Sequence, residues 1–135
     1  EQSGVQVINN TMINVDQGIL VGGGRDNYIS GNICRNASSN CIAFDNRGMN
    51  WQKGFCTPPT GELPEQLYAV HYLKPPYSVE YPQLPGLLKD RPCVPVNNTF
   101  TLNSACNTHA LIDRSPATIE SWGSFIFNNT FTATC

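Results

Sequence analysis

The chain repeats itself at a fixed interval. Val7-Ile8-Asn9-Asn10-Thr11-Met12-Ile13-Asn14 matches Ile29-Ser30-Gly31-Asn32-Ile33-Cys34-Arg35-Asn36, 22 residues further on. The same short phrase returns as Val96-Asn97-Asn98-Thr99-Phe100-Thr101 and as Phe127-Asn128-Asn129-Thr130-Phe131-Thr132. An apolar-x-Asn-x-apolar unit recurring at this period belongs to a chain wound into stacked coils, not to a closed globule. The expected class is all-β, a solenoid of parallel strands.

Residues 4–50 read as two complete coils. Val5 and Val7, then Ile19 and Val21, alternate with polar neighbours as half-buried strands do. Gly18, Gly22, Gly23, Gly24 and Asn27 punctuate the turns. The second coil repeats the pattern with Ile29, Ile33, Cys41, Ala43 and Phe44. Asn10, Asn32, Asn98 and Asn129 are read as equivalent positions, a ladder of stacked amides that satisfies turn backbone and tolerates left-handed geometry. This gives them a structural role.

Residues 51–95 break the rhythm with nine of the chain's ten prolines. Proline cannot donate to a ladder, so this stretch leaves one coil and returns to the next. Leu63, Leu67 and Val70 fall at helical spacing, which predicts a short helix over about 62–73 and a second short turn after Ser78. The insertion is therefore Pro-rich and partly helical. Residues 96–135 resume the coils, with a projecting loop expected around Arg114-Ser115-Pro116. The ends of the chain do not read as caps, so the expectation is a fragment of a longer protein, monomeric within it.

Charge narrows the partners. A formal net charge of −2 offers no field for nucleic acid or an anionic membrane, and no run of 18 apolar residues exists to span a bilayer. Six cysteines without CxxC pairs or a Cys/His cluster read as disulfides: Cys34, Cys41, Cys56, Cys93, Cys106 and Cys135. Cys56 and Cys93 bracket the insertion and are placed to staple its base, one among several pairings. Sequons at Asn9, Asn36, Asn97 and Asn128 add N-glycosylation acceptors and, with the cysteines, point to a secreted, extracellular protein. Three of the four coincide with the repeat, which alone would generate them.

Three further motifs in order, Gly22-Gly23-Gly24-Arg25-Asp26-Asn27, Asp45-Asn46-Arg47-Gly48-Met49-Asn50-Trp51 and Pro75-Pro76-Tyr77-Ser78-Val79-Glu80-Tyr81-Pro82-Gln83-Leu84, resemble the right-handed parallel β-helix proteins of the pectate-lyase-like superfamily. The resemblance covers essentially the whole chain. It implies a triangular solenoid of three parallel sheets, secreted, binding or acting on polysaccharide. It places a site on the outer face of one sheet, beside the long loop at 51–95. No catalytic signature of a particular lyase or hydrolase group is present.

The residues that carry such chemistry are few. Arg25 and Arg47 lie 22 residues apart, one coil period, and are expected to stack where two guanidiniums grip carboxylates or hydroxyls of a sugar chain. Asp26 and Asp45 sit beside them on neighbouring coils, the one carboxyl pair available for glycoside hydrolysis. A lyase needs a base next to a uronate carboxylate and cations to hold the enolate. Asp45, Arg47 and His71 are the catalytic candidates; Arg25, Asp26, Trp51 and Tyr81 are the substrate-binding ones. The competing reading has each arginine pairing with its neighbouring aspartate to pin a turn. Neither a metal nor a cofactor is implied. Whether the chain is an enzyme stays open; the alternative is a non-catalytic structural or interaction module of a larger secreted protein.

Overall fold

The computed structural model describes residues 2–45, 47–113 and 123–135. The chain forms two compact units, Glu1–Asn46 with Pro95–Cys135, and Arg47–Val94. The expected loop at Arg114-Ser115-Pro116 lies outside the described residues.

The first unit is a parallel β-solenoid. Its strands are β1 (Gln6–Ile8), β2 (Thr11–Ile13), β3 (Ile19–Gly22), β4 (Tyr28–Ser30), β5 (Ile33–Arg35), β6 (Asn40–Asp45), β7 (Thr99–Thr101), β8 (Ser104–Cys106), β9 (Ala110–Asp113), β10 (Phe125–Phe127) and β11 (Thr130–Thr132). Three sheets result, all with parallel neighbours: β1-β4-β7-β10, β2-β5-β8-β11 and β3-β6-β9. The pairing places Val7 against Ile29 and Met12 against Cys34, so the 22-residue repeat is one coil.

Most strands are only three residues long because the corners come every five. Left-handed backbone recurs at Gly4, Asn9 and Asn14, at Asp26, Gly31 and Asn36, and at Asn97, Leu102 and Asn107. Such geometry costs an ordinary L-residue about 1–2 kcal/mol and suits Gly, Asn and Asp. That preference accounts for the density of these residues in the repeat.

Next to the corner residues Asn9, Gly31, Leu102 and Asn128 runs a column of stacked amides whose middle members, Asn32 and Asn103, are buried. The Asn10 backbone N–H donates to Asn32 Oδ1 at 3.0 Å, Asn32 N–H to Asn103 Oδ1 at 3.0 Å, and Asn103 N–H to Asn129 Oδ1 at 2.9 Å. Asn98 does not belong to this ladder, contrary to the reading from sequence. It occupies the preceding corner, where Asn27 N–H donates to its Oδ1 at 3.0 Å and its own N–H donates to Ser124 Oγ at 3.3 Å. A third column, on the surface, joins Asn36 Nδ2 to Asn14 Oδ1 and Asn107 Nδ2 to Asn36 Oδ1.

Inside the coils, apolar residues stack on their register partners. Val7, Ile29, Phe100 and Ile126 form one column, with Ile29 and Phe100 sealed from solvent. Met12, Cys34, Ala105 and Phe131 form the next, and Ile19, Ile42 and Ile112 a third. Ile33, expected among the strand's buried residues, is exposed, since inward-facing Cys34 is its immediate neighbour.

Asn32 and Asn103 are 71 residues apart in sequence and one rung apart in space, because the second unit intervenes. That unit opens with a 3-10 turn at Arg47–Met49 and continues with α1 (Lys53–Cys56), α2 (Glu62–Ala69), α3 (Tyr77–Glu80) and a second 3-10 segment at Leu84–Lys89. Glu62 and Glu65 in the first turn of α2 favour the positive end of its dipole, and Pro64 sits where no intrahelical donor is required. The helix stops before His71, whose φ of 54° is incompatible with its continuation. Buried Cys56, Pro64, Tyr72 and Cys93 supply the interior, and the Cys56–Cys93 disulfide ties the two ends of the unit together. Among the described residues no helix is long and apolar enough to cross a membrane.

Candidate functional site on the outer face of the first sheet

Strand alternation dictates what the first sheet shows to solvent. Ile29 and Phe100 point inward, so their neighbours point outward. Gln6, Tyr28, Thr99 and Phe125 are aligned rung upon rung by the strand register. Tyr28 is 39% exposed and Phe125 58%, with Thr99 on the rung between them. Rungs are about 4.8 Å apart, which separates the two aromatic positions by roughly 10 Å along the stack. The adjoining corner column presents Asp26 and Asn97, both exposed, in register through the donation from Asp26 N–H to the Val96 carbonyl at 3.1 Å. One side of the column therefore combines two aromatic surfaces with a carboxylate, amides and a hydroxyl. The column on its other side carries Ile8 and Phe127, also exposed, with Ser30 and Thr101 buried between them.

The residues singled out from sequence fall on both units. On the solenoid, Arg25 forms a parallel bridge with Val96, and its N–H donates to Ser3 Oγ at 3.2 Å. Val96, not Arg47, is thus the residue one rung above Arg25, which corrects the expected arginine stack. Counting 22 residues onward fails there because the chain has already left the coil after Asp45. Asp26 begins the second coil and half-buried Asp45 ends it, paired with Gly22. The two aspartates belong to the same coil, not to neighbouring ones.

On the second unit, the Arg47 guanidinium lies 5.7 Å from the centre of the Trp51 ring, within cation–π range, and Trp51 is 75% exposed. Exposed His71 follows α2: its N–H donates to the Tyr68 carbonyl, and its own carbonyl accepts from Lys74. Tyr81 ends α3, with its N–H donating to the Tyr77 carbonyl, and its ring is exposed. Tyr68 and Tyr72 meet as a tilted ring pair at 5.7 Å. Burial, and then the neighbouring Tyr68, raises the Tyr72 hydroxyl above the ordinary tyrosine range.

All four sequon asparagines, Asn9, Asn36, Asn97 and Asn128, are exposed and carry positive φ. Four of the six cysteines are joined, as Cys56–Cys93 and Cys106–Cys135, while Cys34 and Cys41 are buried free thiols. Among the described residues no group of three or more His, Cys, Asp or Glu is arranged to hold a metal ion.

Sequence reasoning missed Tyr28, Gln6, Thr99 and Phe125. The signal was available in part: Tyr28 follows Gln6 by one period and precedes inward-facing Ile29, so parity alone sends it outward. Compared with family models, curated proteins and solved structures, the chain matches none, and its fold rests on the strand register described above.

Proposed function

We propose that the chain is an extracellular β-solenoid module that binds glycan along the outer face of its first sheet. The observation that carries this reading is the exposed column with Tyr28 and Phe125 two rungs apart. Flat aromatic faces suit the apolar faces of pyranose rings, and the spacing resembles the repeat of an extended disaccharide. Asp26, Asn97, Gln6 and Thr99 supply hydrogen-bonding partners for hydroxyls at the edges. Two disulfides and four exposed sequon asparagines support the extracellular setting. Exposed Trp51, held against Arg47, offers a further sugar-stacking surface on the second unit.

The rival reading is a non-catalytic rod that docks protein, favoured by the apolar exposure of Ile8 and Phe127 on the same sheet. Affinity electrophoresis through neutral and uronate-containing polysaccharides separates the two. Retardation by at least one polysaccharide, lost in Tyr28→Ala, supports glycan binding; uniform mobility throughout rejects it. Assaying the same mixtures for unsaturated or reducing ends tests turnover. Product from any of them would move the reading to a lyase or a glycosidase, with Asp45, Arg47 and His71 as the first residues to replace.

A further inference from the structure

We infer that Cys34 and Cys41 close a third disulfide inside the second coil. The first coil shows how the two positions face each other. There they are held by Met12 and Gly18, since Met12 pairs with Cys34 and the Ile19–Ile42 pairing sets Gly18 beside Cys41. A Cβ on Gly18 would lie 2.9 Å from Met12 Sδ, so the methionine occupies the space that a side chain at position 18 would need. In the third coil the positions are Ala105 and Leu111, a small residue with a large one. Between these levels stand two cysteines of equal size, both with no solvent exposure. Both stand here as free buried thiols, and beyond burial itself the neighbouring Cys34 adds to the rise of the Cys41 thiol.

The chemistry is thiol–disulfide exchange. A Cys41 thiolate attacks a low-molecular-weight or protein disulfide RSSR, displacing one RS⁻ and leaving a mixed disulfide. The Cys34 thiolate then attacks the Cys41 sulfur and displaces the second. The two thiol protons end on the departing thiolates, and RSSR is reduced by two electrons to 2 RSH. An oxidant of this kind is already required by Cys56–Cys93 and Cys106–Cys135. Burial, and then the neighbouring Cys34 thiol, raises Cys41 far above the ordinary thiol range. Thiolate is thus scarce once the interior has closed, and the exchange belongs to the stage when the coil is still open.

Arg35 is the one tryptic site between the two cysteines, which makes the bond directly readable. The full chain is secreted from a host with an oxidising pathway, or refolded in a glutathione redox buffer. It is then alkylated in denaturant without reductant, freed of N-glycans and digested. The expected result is no alkylated cysteine and a linked pair of peptides, Asp26–Arg35 with Asn36–Arg47. Cys34→Ala should convert this to a single alkylated thiol at Cys41. Alkylation of both cysteines in a chain whose other two bridges have closed would overturn the inference, as would a bridge from either to a different cysteine. The outcome does not depend on glycan binding.

Discussion

Asn32 Oδ1 accepts two hydrogen bonds from Asn10 on the rung below, one from its backbone N–H and one from its side-chain amide, each 3.0 Å long. Asn32 Nδ2 in turn lies 2.9 Å from the Val7 carbonyl and 2.9 Å from Asn103 Oδ1. A single side chain with no solvent exposure thereby fastens three coils. Replacing it with leucine matches the volume roughly and removes every one of these partners. Asn32→Leu should destabilise the solenoid by about 3 kcal/mol, since each buried polar group left unmatched costs about 1–3 kcal/mol. Urea unfolding checks this; an unchanged midpoint would mean the amide column carries little of the stability.

Leu102 holds a left-handed corner, φ 57°, at the position that Asn9, Gly31 and Asn128 fill in the other coils. Its side chain is 62% exposed and gains little by packing. Leu102→Asn should therefore stabilise the protein by about 1 kcal/mol, by removing the penalty of a Cβ-bearing, non-Asn residue in this region. Gly31→Ala should do the opposite. Its φ is 67°, and a methyl there would collide with Asn9 Oδ1. Thermal melts of the two variants should move in opposite directions.

Phe100 is fully enclosed between Ile29 and Ile126. Phe100→Ala should cost about 3–5 kcal/mol, the range for emptying an aromatic site in a packed core. A smaller loss in denaturant titration would show that the coils collapse into the space.

Tyr28→Ala and Phe125→Ala test the outer face without disturbing the interior. Each should leave stability within about 0.5 kcal/mol of the parent. Each should weaken polysaccharide binding about tenfold, because losing an aromatic anchor costs upwards of about 1 kcal/mol. Comparable losses on replacing residues of the inner columns alone would argue against this surface.

In its dithiol form the protein should lose stability as the solution becomes alkaline. Cys41 is raised above its ordinary value of 9.0 and Tyr72 above 10.0. The unfolded chain therefore releases these protons at a pH where the folded chain still holds them. Their contribution is complete below about pH 9 and fades as pH climbs through the folded-state values. Denaturation midpoints measured from pH 8 upward follow this directly. Closing a Cys34–Cys41 bond would remove the thiol component and leave the tyrosine one.

How much of this the amino acids disclosed depended on which physical rule each residue obeys. Val7 with Ile29 was legible because inward strand residues repeat with the coil, and the pairing follows that count. Asn98 was misplaced for a definite reason. The phrase Asn-Asn-Thr solves one local problem, a left-handed residue followed by a buried amide, and the solenoid poses that problem at successive corners five residues apart. Asn97-Asn98 and Asn128-Asn129 are the same answer at different corners. Arg25 and Arg47 were misaligned because counting by coils has no meaning once the chain departs after Asp45. The inserted helix was legible from its leucine spacing, whereas the exposed face around Tyr28 follows from an alternation that only the strand register makes plain.

The long excursion between β6 and β7 leaves the route of assembly uneven. Coils one and two are adjacent in sequence and can find each other quickly, but β4 must capture β7 across 71 residues of chain. The Cys56–Cys93 bond spans 37 residues and so shortens that search by about half. A chain that acquires this bond early should reach its native pairing faster than one that acquires it late, even where the two end equally stable.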